Sequence, residues 1–155
     1  MTRRPAPLLT VFVLAAGLAA CGVGSADPSP SPAGDLGFEV LASGTDLSGG
    51  PDSVEVLDAD VVEPTWRDLT DASAPPVPDG SVAVVVSAGT GYRSTEVVGV
   101  VEDDGTWTVL LEGNDLADCA TADVVLSEVH LVAVDAAEPP RSVAHEIEVL
   151  PGCDL

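Results

Sequence analysis

Three cysteines, Cys21, Cys119 and Cys153, carry the most definite chemistry in this 155-residue chain. In an exported protein, an odd number of cysteines leaves one thiol without a disulfide partner. Zinc ligation is disfavoured, because the chain has no CxxC motif and its two histidines are not spaced with the cysteines. The role of Cys21 therefore has to be sought in the residues that surround it.

The residues before Cys21 have the layout of a secretory signal peptide. Arg3 and Arg4 precede an apolar run at residues 8–18, and two alanines follow the run. A run of 11 residues is too short for a transmembrane helix, which needs about 20 apolar residues. Residues 1–20 are therefore predicted to be a signal peptide, and cleavage at an ordinary small residue is one interpretation of its end.

The tetrapeptide LAAC, which ends at Cys21, resembles the lipobox of bacterial lipoproteins. This resemblance implies that Cys21 is lipidated and becomes the first residue of the mature chain. It also implies a cell-membrane location, with the protein facing away from the cytoplasm. Cys119 and Cys153 then remain as a pair in a compartment where disulfides persist. Their bridge would close a loop of about 35 residues and stabilise the fold by roughly 3 to 4 kcal/mol.

Residues 21–37 are predicted to form a tether between the lipid and a folded domain. They are rich in proline, serine and glycine, a composition that buries little apolar area and stays extended and solvated. Residues 38–155 then form a single β-sandwich domain, since 118 residues suit one domain.

The charge balance excludes two classes of partner. The chain has no lysine. After the signal peptide it has 26 acidic residues and only three basic ones, Arg67, Arg93 and Arg141, so the net charge of the mature chain is −23. Such a protein is not attracted electrostatically to nucleic acid or to anionic lipid headgroups. Most of the acidic residues are interpreted as a solvated surface.

No sequence motif indicates catalysis or a cofactor. The chain lacks a G-x-S-x-G serine motif, an H-E-x-x-H motif and a glycine-rich phosphate loop before a helix. His130 is predicted to lie on the strand face opposite Val129 and Leu131, and His145 on the apolar face of the last strand. Neither has a candidate nucleophile beside it in the sequence, so we predict that the protein is not an enzyme.

A calcium site is the chemical alternative. Asn114, Asp115 and Asp118 are close together in a predicted loop beside Cys119, and calcium prefers oxygen ligands of this kind. The spacing does not match an EF-hand, and turn formation accounts for Asn and Asp equally well.

The clearest structural element is a β-hairpin at residues 94–113. Asp104-Gly105 is a two-residue turn signal, because a type I′ turn needs positive φ at both central positions. The resulting register places three pairs on one largely apolar face: Glu102 with Trp107, Val100 with Val109 and Val98 with Leu111.

Other apolar segments also follow strand spacing, and no window has a sustained helical stripe. Further strands are predicted at residues 38–42, 54–62, 80–88 and 142–150 and within 122–135. About seven strands separated by proline- and glycine-rich turns predict an all-β, antiparallel β-sandwich.

Two segments, DGSVAV at residues 79–84 and EDDGTWTV at 102–109, resemble bacterial immunoglobulin-like domains of surface proteins. The resemblance implies an immunoglobulin-like sandwich used for adhesion, spacing or ligand binding, and it carries over no catalytic residues. The chain departs from antibody domains, because Cys119 and Cys153 do not flank a central tryptophan.

The sequence thus predicts a lipid-anchored, non-catalytic binding or scaffolding module of the bacterial envelope, with an envelope protein or ligand as its unknown partner. The alternative is a calcium-stabilised adhesion or ligand-binding domain. Trp66 and Tyr92 are the aromatic candidates for a contact patch, although Trp66 also suits burial against the sandwich.

Overall fold

A computed structural model describes residues 34–89, 92–115 and 127–151. These residues form eight strands and one helix. In chain order they are β1 (Gly34–Asp35), β2 (Phe38–Asp46), β3 (Ser53–Leu57), α1 (Val62–Thr70), β4 (Ser81–Ser87), β5 (Tyr92–Asp103), β6 (Thr106–Asp115), β7 (Ser127–Asp135) and β8 (Ser142–Leu150).

The strands form two four-stranded sheets that pack as a sandwich. The first sheet has the order β1-β5-β6-β8 and the second has the order β2-β7-β4-β3. Neighbouring strands in the described residues are antiparallel, except that β6 and β8 run parallel. The predicted all-β sandwich is confirmed, with eight strands where about seven were expected.

Strands β4 and β7 lie in the middle of the second sheet and are buried on both faces. Val84, Val86, Val132 and Val134 pack between the two sheets. Ala83, Val85, Val129 and Leu131 pack on the other face, under Val62 and Trp66 of α1. Burial on both faces explains why these strands read as continuous apolar runs rather than as alternating patterns.

The predicted β5–β6 hairpin is confirmed at its turn. Asp104 and Gly105 have φ values of 48° and 77°, as a type I′ turn requires. The register adjacent to the turn also agrees with the prediction: Glu102 is opposite Trp107, and Val100 is opposite Val109.

Further from the turn the predicted register is wrong. The pairing shifts between Val97 and Gly99, so Val97, not Val98, is opposite Leu111. Val97 is 5% exposed and Val98 is 42% exposed. The cause is a β-bulge, in which one extra residue reverses the alternation of every side chain beyond it.

Helix α1 was not expected from the sequence. The strand predicted at residues 54–62 ends at Leu57, and the helix begins at Val62. Val62, Trp66 and Leu69 recur at helical spacing and pack toward the second sheet, while Pro64 is tolerated because it lies in the first turn. The helix ends at Thr70. The N–H of the next residue, Asp71, still donates to the Arg67 carbonyl, and the left-handed conformation of Asp71 turns the chain out of the helix.

The sandwich begins slightly before the predicted domain boundary at residue 38. Gly34 and Asp35 pair with Glu102 and Val101, so the end of the segment predicted as tether belongs to the first sheet. No helix among the described residues is long and apolar enough to cross a membrane.

Candidate functional site

Several residues chosen from the sequence lie outside the described part of the structure: Cys21, Asp118, Cys119 and Cys153. Asn114 and Asp115 belong to β6 and not to the predicted loop. Asn114 is buried, because it lies on a strand inside the sandwich. The third predicted calcium ligand, Asp118, lies outside the described residues, and those residues contain no group of three or more His, Cys, Asp or Glu side chains suited to a metal ion.

The two aromatic contact candidates are placed differently. Trp66 is 2% exposed and packs with Val129 and Leu131 under α1. It is therefore a core residue, as the alternative of burial against the sandwich predicted, and it does not belong to an exposed contact patch. Tyr92 begins β5.

The two histidines lie on strands, as predicted. His145 belongs to β8, and its Nε2 is 4.0 Å from Oδ2 of Asp52. His130 belongs to β7 and is only 3% exposed. Val129 and Leu131 pack in the cluster under α1, whereas Val132 and Val134 pack between the sheets. Strand alternation therefore places His130 on the inter-sheet face, opposite Val129 and Leu131 as expected.

Both ring nitrogens of His130 have hydroxyl partners from other strands. Nδ1 is 2.8 Å from Oγ of Ser43 on β2. Nε2 is 2.8 Å from Oγ1 of Thr95 on β5. Ser43 and His130 are direct cross-strand partners, whereas Thr95 reaches His130 from the other sheet.

Glu128 completes this network and determines which atoms in it donate hydrogen bonds and which accept them. The Thr95 hydroxyl donates to Oε2 of Glu128 over 3.1 Å, and the Thr95 backbone N–H donates to the same oxygen. A threonine hydroxyl has one proton, so toward His130 it acts as an acceptor. Neutral His130 then carries its proton on Nε2, and its Nδ1 accepts a hydrogen bond from Ser43.

The environment of His130 favours the neutral ring. Burial lowers the pKa of His130 below its ordinary value of 6.5, although the negative charges of Glu128 and Glu96 oppose this effect. A neutral imidazole with an unprotonated Nδ1 can accept a proton from the hydroxyl that it faces.

A second cluster of hydrogen-bonded polar residues lies around Asp46, at the end of β2. One carboxylate oxygen accepts from the Ser87 hydroxyl at 2.8 Å, and the other accepts from the Ser48 backbone N–H at 2.8 Å. Burial raises the pKa of Asp46, but the hydrogen bonds from Ser48, Ser87 and the Gly49 backbone outweigh it, and the pKa lies below 3.8. The bond to Ser87 connects β2 to β4, and both oxygens of the Asp46 carboxylate accept hydrogen bonds.

The Ser43–His130 pair was missed because its members are far apart in the chain. The only sequence signal was His130 itself, a polar residue inside the apolar segment SEVHLVAV. Its hydroxyl partners depend on strand register and on which strand of the first sheet packs opposite β7. Comparisons with protein-family models, with curated proteins and with solved structures gave no match for this chain.

Proposed function

We propose that this protein is a lipid-anchored module on the outer side of the bacterial cytoplasmic membrane that binds a basic protein partner. The lipobox-like sequence ending at Cys21 supports the anchor. The observation that carries the binding function is the outer face of strands β5, β6 and β8, called here the glutamate face. It is defined by Glu96, Glu112 and Glu148 together with Val98 and Leu110.

The glutamate face places like charges directly opposite one another. Glu96 is the cross-strand partner of Glu112, and Glu112 is the partner of Glu148 on its other side. Such like-charge pairs destabilise a sheet. No described ion pair includes any of the three carboxylates, so the repulsion is not relieved by the described side chains.

Apolar surface accompanies these charges. Val98 is turned outward by the β-bulge and is 42% exposed. Val98, Leu110 and Glu148 contribute to the lining of a shallow depression of about 320 Å³. Neither of the two buried clusters contains Val98 or Leu110, so this face is not covered by the described elements.

Charge complementarity therefore selects the partner. A protein surface that offers lysine or arginine side chains would relieve the repulsion among the three glutamates of the glutamate face. Apolar side chains between those basic side chains would cover Val98 and Leu110. The overall charge of the mature chain, −23, would also accelerate the approach of a basic partner.

The test uses a synthetic peptide of alternating lysine and leucine as the probe. The double variant Glu112→Gln/Glu148→Gln removes two charges from the glutamate face. The control Glu39→Gln/Glu55→Gln removes two exposed charges from the second sheet. At physiological salt we expect the first variant to bind the peptide about fivefold or more weakly, because each ion pair contributes up to about 1 kcal/mol.

The control variant is expected to bind nearly as well as the wild type. Equal weakening of the two variants would mean that the peptide senses only the net charge, and it would contradict a dedicated face.

A further inference from the structure

Ser43 is the exposed residue at one end of a hydrogen-bonded network whose middle members are buried. Ser43 is solvent-exposed, whereas His130 and Thr95 are buried. β2 is at the end of its sheet, with β7 as its neighbour. A molecule in solution can therefore reach the Ser43 oxygen from the open side of this strand without displacing the core.

The order of hydrogen-bond donors in this network is that of an activated nucleophile. The Ser43 hydroxyl donates to Nδ1 of His130, Nε2–H of His130 donates to Thr95, and Thr95 donates to Glu128. A hydroxyl within hydrogen-bond distance of a base, with a third group orienting that base, is the arrangement that makes serine reactive. The Glu128 carboxylate also offsets positive charge that develops on the ring.

We propose that Ser43 is a nucleophile that accepts acyl groups from small, unhindered esters, with His130 as its general base and Thr95 as a positioning residue. This inference is independent of the glutamate face and of the lipid anchor. Ser43 is an exposed residue on an edge strand, which favours a small acyl donor over a large substrate that must be enclosed.

The reaction balances without a further co-reactant. Oγ of Ser43 forms a bond to the ester carbonyl carbon as its proton moves to Nδ1 of His130. The tetrahedral intermediate then breaks its bond to the leaving alkoxide oxygen, which takes that proton and departs as an alcohol. Water hydrolyses the acyl-serine by the same route, giving a carboxylic acid and restoring the Ser43 hydroxyl.

The experiment measures acylation of the mature domain by p-nitrophenyl acetate, with nitrophenol release and mass-spectrometric location of the acetyl group. Ser43→Ala removes the nucleophile at an exposed position. Ser53→Ala is the matched control, because Ser53 is an exposed serine in β3 at the opposite edge of the same sheet. We expect the acetyl group on Ser43, and its loss in Ser43→Ala but not in Ser53→Ala.

Two further variants separate a reactive site from a structural one. His130→Gln should abolish the acetylation of Ser43. Thr95→Val should slow it and shift its pH profile, which a purely structural role for Thr95 would not do. An acetyl group distributed equally over Ser43 and Ser53, or full labelling of Ser43 in His130→Gln, would overturn the proposal. If His130→Gln fails to fold, the comparison of Ser43→Ala with Ser53→Ala still tests the proposal, because both of these substitutions are at exposed positions.

Discussion

Val100 and Val109 lie directly opposite each other in the β5–β6 hairpin, and both are buried between the two sheets. Their pairing follows from the Asp104-Gly105 turn, because a two-residue loop fixes which residues face each other on the adjoining strands. The hairpin thereby supplies one wall of the inter-sheet core.

Replacing Val109 by aspartate should strongly destabilise the domain. Val109 is fully buried, so the new carboxylate would have no partner, at a cost of several kcal/mol in the free energy of unfolding. Thr108→Asp is the control, because Thr108 lies on the other face of the same strand and is only half-buried. Urea unfolding curves measure both variants, and equal midpoints would contradict the facing assignment.

The hairpin also shows where sequence patterns stop being informative. Near the turn the register was predictable, but Val97 and Val98 are identical in chemistry and either suits the core. Gly99 was the available signal, since glycine within a strand often marks a bulge. Helix α1 was not predicted for a different reason. It has nine residues, and only three of them are apolar, which is too few for a sustained apolar stripe at helical spacing. The Ser43–His130 contact depends on strand register across the second sheet, which local pattern does not encode.

Truncating Trp66 should be costly although the residue was a candidate for a surface patch. Trp66→Ala removes the largest of the α1 side chains that pack against the second sheet and is expected to lower the free energy of unfolding by about 3 to 5 kcal/mol. Arg67→Ala, one residue along the helix, breaks only an exposed pair with Glu63 and should cost about 0.5 kcal/mol or less. Thermal melting compares the two. A Trp66→Ala protein as stable as Arg67→Ala would show that Trp66 is not in the core.

The pH dependence of stability should reveal the buried histidine. The folded-state pKa of His130 is below the ordinary 6.5, so on acidification the unfolded chain binds a proton before the folded chain does. The free energy of unfolding is therefore highest above pH 6.5 and should fall as the pH drops from 6.5 toward about 5, before most carboxylates titrate.

The control for this prediction is His130→Gln. This variant should be less stable overall but should lose less stability over the same pH window. Parallel pH curves for the wild type and the variant would mean that His130 titrates alike in both states.

The remaining cysteine pair can be tested chemically. If Cys21 is lipidated, Cys119 and Cys153 should form a disulfide in the exported protein, because an oxidising compartment preserves such bonds. Peptide mapping without reductant should recover the two cysteines in one linked fragment. Two alkylatable thiols in the native exported protein would refute the bridge.

Lipidation of Cys21 is the most direct test of a membrane-anchored role. The measurement is metabolic labelling with palmitate in a bacterium that exports lipoproteins, followed by separation of membrane and soluble fractions. The wild type and the control Cys153→Ser, which changes a different cysteine, should both be labelled and retained in the membrane. Cys21→Ser should be unlabelled and should appear as soluble or unprocessed protein. Membrane retention and labelling of Cys21→Ser, or an unlabelled wild type, would contradict the lipid-anchored module proposed here.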